Sequence, residues 1–347
     1  MKNISFIILI LIGSVINSLA QGNLTVPDQS QKAGVSQRIG LTDIEIHYSS
    51  PLVRARSIWG DVVPFGEVWR AGANENTTIS FSTDVIVGNI QVPAGKYGLH
   101  MIPRKDKWTI ILSKNASSWG SFFYNKEEDM VRFEVEPLTR DFQEWLSYRF
   151  TDPKPGAVNV TMNWEKIAIS FPVSIKIQQT VVASMRNELR GVAGFTWQGP
   201  WQAADYCMTH NIYPEEAMQW IDQSLAVQEN FHNLETKSLI LAKAGKQTES
   251  AEMHTKALAV ANETQLNTHG YKMLGNGDLN GAVEIFKLNI KRNPNSWNVY
   301  DSYAEGLLMK GDKKGAISNY QIALSKAPEA QKNRITTLIN NIKSDIK

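Results

Sequence analysis

The sequence has little of three things: cysteine, net charge and long hydrophobic runs. Its 347 residues include one cysteine, Cys207, which excludes an internal disulfide and any metal site built from several cysteines. The 36 Lys and Arg residues are matched by 34 Asp and Glu residues, so the formal net charge is +2. Neither half of the chain has the basic excess that nucleic-acid-binding proteins carry, and we expect no nucleic-acid partner.

Common signatures of catalysis are also absent. The sequence contains no G-x-S-x-G nucleophile motif, no H-E-x-x-H zinc motif and no Walker phosphate-binding loop. A metal site made from His47 and His100 with Glu67 or Glu75 is an alternative, but histidines scattered over strands are more often structural. We therefore lean against an enzyme, and we predict no cofactor and no bound metal ion.

Only the N-terminus has a long apolar run. Lys2 is followed by a hydrophobic stretch from residue 4 to residue 16, and Ser18 and Ala20 occupy the two positions that signal peptidase reads. The run is shorter than the roughly 20 residues that a membrane-spanning helix needs. The pattern predicts a signal peptide over residues 1–20, cleaved after Ala20, and a periplasmic or extracellular protein with no transmembrane segment in the mature chain. A retained membrane anchor is the alternative.

Residues 35–178 have the alternation of β-strands. Apolar and polar residues alternate over 44–48, 158–164 and 167–171, which is typical of antiparallel sheets with one buried face. Glu165-Lys166 separates the last two runs and predicts a tight hairpin. Many short strands between turn signals favour an antiparallel β-sandwich. We place a flexible segment over residues 21–34 before it.

Residues 179–346 have helical periodicity and an internal repeat. Four features recur 34 residues apart, the period of tetratricopeptide repeats. They are Gly277-Asp278, Ala282, Phe286 and Pro294, followed by Gly311-Asp312, Ala316, Tyr320 and Pro328. Ala217 and Ala251 show the same spacing, and the register slips once before Ala282. The pattern predicts an α-helical tetratricopeptide-like solenoid, in which small residues allow close helix packing.

A long motif lies in the β domain. It reads SPLVRARSIWG at residues 50–60, VPFGEVWR at 63–70 and AGANENTTI at 71–79, with shorter matching segments at 93–99, 108–111 and 129–132. Over roughly residues 35–175 the chain resembles the bacterial family named domain of unknown function 2911. The resemblance implies an exported β-rich domain, which tetratricopeptide repeats follow in some members. It implies no activity.

This motif also supplies the candidate ligand-binding residues. They combine guanidinium, indole, amide, carboxylate and imidazole groups: Arg56, Trp69, Arg70, Asn74, Glu75 and His100. Such a cluster could bind a carbohydrate or a carboxylated ligand, because guanidinium groups match carboxylates and indoles stack on sugars. The structural alternative, which we favour, is that Arg70 and Glu75 form a buried ion pair and Asn74 caps a turn.

The leading hypothesis is therefore a non-enzymatic binding or scaffold protein of the bacterial cell envelope. Its helical repeats would be the protein-interaction surface, with an unknown protein or peptide as partner. The alternative is a carbohydrate-binding or hydrolytic module that uses the Arg/Asn/Glu cluster of the β domain. A third hypothesis is that the repeats only brace the β domain.

Overall fold

The computed structural model describes residues 26–345, which form two compact units divided between Ile177 and Gln178. Each unit has its own hydrophobic core. The signal peptide expected at residues 1–20 and its cleavage site lie outside the described residues. Among the helices of residues 26–345, none is both long enough and apolar enough to span a bilayer.

Ten strands form the first unit. They are β1 (Gln31–Ile39), β2 (Thr42–Ser50), β3 (Thr78–Phe81), β4 (Val85–Val87), β5 (Ile90–Val92), β6 (Gly95–Ile102), β7 (Trp108–Ser113), β8 (Asp129–Val135), β9 (Leu138–Lys154) and β10 (Ala157–Ser174). One sheet has the order β1-β2-β3-β6-β7-β8, the other β5-β4-β10-β9, and the strand pairs in both are antiparallel. The expected β-sandwich is confirmed as two antiparallel sheets with one core.

The first strand begins earlier than expected. Gln31 already pairs with Ser50, and the ladder continues to Ile39 opposite Thr42. The flexible segment placed over residues 21–34 is therefore wrong for its last four residues. Their sequence hides the strand because β1 is an edge strand whose side chains are mostly exposed, so it needs no apolar face.

The hairpin expected at Glu165-Lys166 is also wrong, because β10 continues through these residues. Glu165 has a φ of 54°, and the pairing with β9 shifts register on both sides of it. Between the pairs Asn163–Ser147 and Ile167–Thr139, β9 has four more residues than β10, so an irregular bulge interrupts the ladder. The buried side chains consequently change parity, from Val158, Val160, Met162 and Trp164 before the bulge to Ile169, Phe171 and Val173 after it. Two alternating runs thus belong to one strand.

The core of the first unit is centred on tryptophans. Trp108 and Trp164 are buried, and the half-buried Trp59 lies 4.8 Å from Trp108 and 5.6 Å from Trp164, ring centre to ring centre, in edge-on geometry. Aromatic pairs at these separations add to the free energy of area burial. Trp119 and Trp145, in contrast, are exposed.

Ten helices form the second unit. They are α1 (Ile177–Glu188), α2 (Gln198–His210), α3 (Pro214–Val227), α4 (Phe231–Lys243), α5 (Gln247–Val260), α6 (Glu263–Gly275), α7 (Leu279–Arg292), α8 (Trp297–Met309), α9 (Lys313–Lys326) and α10 (Glu329–Ser344). Close packing joins α2 to α3, α4 to α5, α6 to α7 and α8 to α9, and α10 follows against α9. Four helical hairpins and a terminal helix confirm the expected solenoid.

The repeat register differs in detail from the expected one. Ala217, Ala282 and Ala316 are buried at the fourth position of α3, α7 and α9, but Ala251 is exposed. The fourth position of α5 is Ser250, whose hydroxyl donates to the Ser238 carbonyl at 2.8 Å. A small hydroxyl side chain permits the same close approach as alanine. The spacing of 34 between Ala217 and Ala251 is therefore coincidental. The repeats from Ala217 to Ser250 and from Ser250 to Ala282 are both shorter than 34 residues.

Candidate functional site

Trp69 fixes the position of the motif at residues 63–70. Its backbone N–H donates to the Met101 carbonyl and its own carbonyl accepts from the Met101 N–H, both at 2.8 Å. The indole stacks on Trp164 at 5.9 Å with an interplanar angle of 17°, and its Nε1 donates to the Gly72 carbonyl. Trp69 therefore belongs mainly to the core, so most of its ring does not face a ligand.

Arg70 follows directly and has no acidic partner. Its Nη1 donates to the Asn74 carbonyl at 3.1 Å, and its guanidinium lies 5.9 Å from the centre of the Phe122 ring. Within residues 26–345, no carboxylate lies within ion-pair distance of Arg70. Half-burial lowers the pKa of Arg70, because removal from water disfavours the charged form. A guanidinium in this state is a good donor for an anionic ligand.

Two small cavities meet at Trp69 and Arg70. One, of 230 Å³, is also lined by Glu67, Ser121 and Phe122. The other, of 210 Å³, is lined by Arg56 and by residues of the strand-connecting loops. The Arg56 guanidinium donates to the carbonyls of Leu52 and Val53, at 2.6 and 3.0 Å, so it is already engaged in its own loop.

Exposed aromatic side chains lie beside the 230 Å³ cavity. Phe122, which lines it, has 77% of its surface exposed. Trp119 and Phe123 in the same loop are exposed as well. Large apolar side chains exposed together are unusual and often mark a binding site. Nothing in the sequence periodicity distinguished this loop, because it has no regular secondary structure.

Asn74 and Glu75 diverge from one another. Asn74 has a φ of 57°, and only its backbone carbonyl contacts Arg70. Glu75 instead pairs with Lys32 at 3.1 Å, is half-exposed, and lines a separate cavity of 380 Å³. A backbone hydrogen bond and Lys32 lower the pKa of Glu75. The buried ion pair expected between Arg70 and Glu75 is therefore wrong.

His100 lies in β6 and is 2% exposed. Its Nδ1 is 2.9 Å from Ser121 Oγ, and its ring centre is 5.5 Å from that of Tyr124. Burial lowers the pKa of His100 to about 4, while Asp129 opposes the shift. The imidazole is thus neutral near pH 7 and is shielded from solvent. Its neighbour Ser121 lines the 230 Å³ cavity, whereas His100 itself does not.

A network that the sequence analysis missed contacts His100 through the Tyr124 ring. The Tyr124 hydroxyl donates to both carboxylate oxygens of Asp129 at 2.9 Å, and Arg132 Nε donates to the same carboxylate at 2.8 Å. Burial first, and then Asp129, raises the pKa of Tyr124 to about 12. Asp129 and Arg132 both lie in the motif segment at residues 129–132, and this was the sequence signal that could have indicated the network.

The region combines a hydroxyl–imidazole pair with candidate residues that lie apart. Ser121 and His100 are within hydrogen-bond distance, as nucleophilic catalysis requires. The part of the chain that the structure describes, however, places no carboxylate in a hydrogen bond with His100 to orient it. The six candidate residues also do not converge. Trp69 and Arg70 share one cavity, of 210 Å³, with Arg56, whereas Glu75 lines a different cavity and His100 is buried.

The helical unit has a larger cavity, of 430 Å³. It lies among the ends of α2 and α4 and the start of α3. Its lining includes the apolar side chains Met208, Ile212, Met218 and Ile240, and the charged Glu215 and Lys243. Lys243 Nζ donates to the Met208 carbonyl at 2.6 Å. Cys207, which also lines the cavity, is buried, and burial raises the pKa of this thiol to about 11.

These features define a two-domain protein: a β domain of two antiparallel sheets, followed by tetratricopeptide-like hairpins. Residues 30–173 match the model of the family described as "Protein of unknown function (DUF2911)". The chain thus carries a DUF2911 domain and a helical repeat array, which confirms the resemblance inferred from the motifs. No match was found among curated proteins.

Several solved structures are similar to part of the chain. MamA is 14% identical, with a TM-score of 0.30, over 46% of this chain and 92% of MamA. YrrB, described as a TPR protein with an unusual peptide-binding site, is 14% identical, with a TM-score of 0.27, over 44% and 79% of the two chains. The Yersinia enterocolitica type III secretion chaperone SycD, solved with a peptide of the translocator YopD, is 15% identical, with a TM-score of 0.26, over 33% and 92%.

Proposed function

We propose that this protein is a non-enzymatic scaffold that binds a segment of another protein through its helical repeats. The observation that carries the proposal is the 430 Å³ cavity at the ends of α2 and α4. Its volume falls in the size range of ligand pockets in proteins. We expect it to accept one or two apolar side chains of a bound segment.

The lining of this cavity suits a protein segment. Methionine side chains adapt their shape to different apolar groups and are common on peptide-binding surfaces. Met208 and Met218 provide such a lining, and Glu215 and Lys243 add one charge of each sign. A segment with an apolar anchor next to charged residues would complement these groups.

A charge reversal at an exposed residue tests this proposal. Lys243 and Lys310 are both exposed, but only Lys243 lines the cavity. The proteins captured by wild-type full-length chain, Lys243→Glu and Lys310→Glu would be compared by quantitative mass spectrometry. We expect Lys243→Glu to lose specific partners that Lys310→Glu keeps. An identical set of partners for all three would contradict a role for this cavity.

We also propose that the protein is exported to the bacterial cell envelope or beyond it. The support is the N-terminal sequence alone: Lys2, the apolar run of residues 4–16 and the small residues before Gln21. N-terminal sequencing of the protein from fractionated cells would test this. We expect a chain that begins at Gln21 in the periplasmic or extracellular fraction. An intact Met1 in the membrane fraction would instead indicate a retained anchor.

A second candidate function is the binding of a carboxylated ligand by the β domain. The observation that favours it is the half-buried Arg70 guanidinium without an acidic partner, next to the exposed Phe122. An arginine fork binds carboxylates through two parallel hydrogen bonds, and an aromatic face can stack on a sugar ring. This candidate retains the carbohydrate or carboxylate ligand expected from the motif, but without Glu75.

Glucuronate and glucose form a matched pair of probes, because they differ in the carboxylate. We expect glucuronate to raise the melting temperature of the wild-type protein, and Arg70→Gln to lose this effect, whereas the exposed Arg140→Gln keeps it. Equal stabilisation by glucose would favour stacking on a neutral sugar. If neither sugar changes the melting temperature, this candidate loses its support.

A further inference from the structure

Three side chains with metal-binding groups meet in the helical unit. Glu235 in α4, His254 in α5 and His269 in α6 each place one potential ligand atom within 4.8 Å of the other two. Glu235 lies between the histidines, with its two oxygens 2.9 Å from His254 Nδ1 and 3.8 Å from His269 Nδ1. Two imidazoles and one carboxylate are a donor set that Zn²⁺ commonly uses.

His254 departs from the repeat pattern at a packing position. It is the eighth residue of α5, and the eighth residues of α7 and α9 are the buried aromatic side chains Phe286 and Tyr320. In α3 the same position is the buried Ile221. The other three hairpins therefore use this position for apolar packing. In α5 it has an imidazole that faces a carboxylate.

His269 provides a second, independent observation. It is only 9% exposed, and its Nε2 has no hydrogen-bond partner within the described residues. A buried nitrogen without a partner is costly unless a further group satisfies it. The Phe231 ring lies edge-on to this imidazole, with 5.8 Å between the ring centres.

We propose that Glu235, His254 and His269 bind a divalent transition-metal ion, with Zn²⁺ as the best fit. The three residues come from three consecutive helices, so the ion would link the second hairpin to the first helix of the third. His254 is 34% solvent-exposed, which leaves an open side for entry and for water as a fourth ligand. The ion replaces the hydrogen bond between His254 and Glu235, and both histidines bind it as neutral imidazoles.

One nearby charge opposes the ion. Burial lowers the pKa of His269, and the positive charge of the nearby Lys272 adds to this effect and also acts on Glu235. The same charge repels a divalent cation. Removing the charge of Lys272 without changing the three ligands should therefore tighten metal binding. A cluster that only forms hydrogen bonds would not show this effect.

The experiment uses the untagged full-length protein after treatment with a chelator. Titration with Zn²⁺ in a calorimeter, and with Co²⁺ in a spectrophotometer, measures stoichiometry and geometry. We expect one ion per chain and an intense visible Co²⁺ spectrum typical of tetrahedral coordination. His269→Gln should weaken binding by more than about 100-fold, given that even residues that only orient the ligands contribute 10–100-fold.

Two variants separate the metal from the fold. His254→Phe installs the aromatic residue of the other hairpins, so the protein should remain folded but lose stabilisation by Zn²⁺. Lys272→Gln should bind Zn²⁺ more tightly than wild type. His47→Gln is the matched control, because His47 faces a carboxylate, Glu45 at 3.6 Å, on the β domain without a third ligand.

The outcomes are distinct. Loss of the Co²⁺ spectrum in His254→Phe and His269→Gln, with full retention in His47→Gln, supports the site. Absence of stoichiometric binding by wild-type protein overturns the proposal, as does unchanged binding in His254→Phe. Circular dichroism of each variant without metal confirms that any loss of binding occurs in a folded protein.

Discussion

The β domain and the helical unit reveal unusual side chains in different ways. In the helical unit each position recurs, so His254 can be compared directly with Phe286 and Tyr320 at the eighth position of other hairpins. In the β domain no such internal standard exists. Arg70 is recognised only because the structure shows a half-buried guanidinium without a carboxylate. An internal repeat thus allows an unusual residue to be recognised by comparison with equivalent positions. In a β domain, an unusual residue is recognised only from its three-dimensional contacts.

The two units also stabilise their cores differently. Ring-to-ring contacts among four tryptophans, drawn from the motif loop, β7 and β10, hold the sheets of the β domain together. Small residues in the helical unit let neighbouring helices approach over short sequence distances. Substitutions in the two units test this contrast, and their expected effects on stability differ in size.

Removal of a central tryptophan should have the largest effect. Trp164→Ala deletes a buried ring that contacts Trp59 and stacks on Trp69. We expect a loss of about 4 kcal/mol in the free energy of unfolding, as for other large-to-alanine core changes. Urea denaturation followed by tryptophan fluorescence measures it. The exposed Trp145→Ala should change stability by less than a quarter of this, and comparable losses would contradict the tryptophan-centred core.

The buried His100 should make stability depend on pH. Its folded-state pKa of about 4 lies below the ordinary 6.5, so the unfolded chain binds the proton more tightly. The stabilisation is complete above pH 6.5 and is lost as the pH falls towards 4, by a total on the order of 3 kcal/mol. Urea denaturation between pH 7 and pH 4.5 measures this slope.

His100→Asn removes the titrating group while keeping a nitrogen or oxygen near Ser121. The slope of unfolding free energy against pH should become shallower in this variant. His47→Gln changes an exposed histidine of the same domain and should leave the slope as it is. A wild-type slope in His100→Asn would show that other groups dominate the acid sensitivity.

Two glycines of α6 should respond in opposite directions. A side chain at Gly270 would collide with the Phe286 ring, whereas Gly275 has open space around it. Gly270→Ala should cost about 2 kcal/mol through overpacking, and Gly275→Ala should stabilise by about 0.5 kcal/mol through the better helix propensity of alanine. Thermal melting of both variants checks this. Equal effects would mean that helix propensity, and not close approach, decides these positions.

The smallest predicted effect concerns a missing helix cap. Asp278 and Asp312 accept the N–H groups of Gly281 and Gly315, at 2.9 and 2.8 Å, but Lys246 provides no such bond for α5. Lys246→Asp should therefore stabilise the protein by about 0.5–1 kcal/mol. Asp312→Ala should cost a similar amount. If Lys246→Asp destabilises, α5 is not equivalent to α7 and α9.

Much of the fold was predictable because its signals are local. Alternation predicted strands and the 34-residue spacing predicted paired helices, since each pattern buries one face of its element. The errors arose where local patterns were ambiguous. The bulge at Glu165 keeps both alternating runs within one strand, and the exposed edge strand β1 has no apolar face to reveal it. Little of the candidate sites was predictable, because their residues meet only through long-range packing.

The sequence by itself determined most of the segments that become strands or helices, because burial of one face imposes a period of about two or 3.6 residues. It also determined the family of the β domain through its long motif. Only the tertiary structure decided which polar groups meet: Glu75 with Lys32 instead of Arg70, and Glu235 with two histidines. The physical reason is that strand order and helix packing set distances between side chains, and spacing along the chain does not.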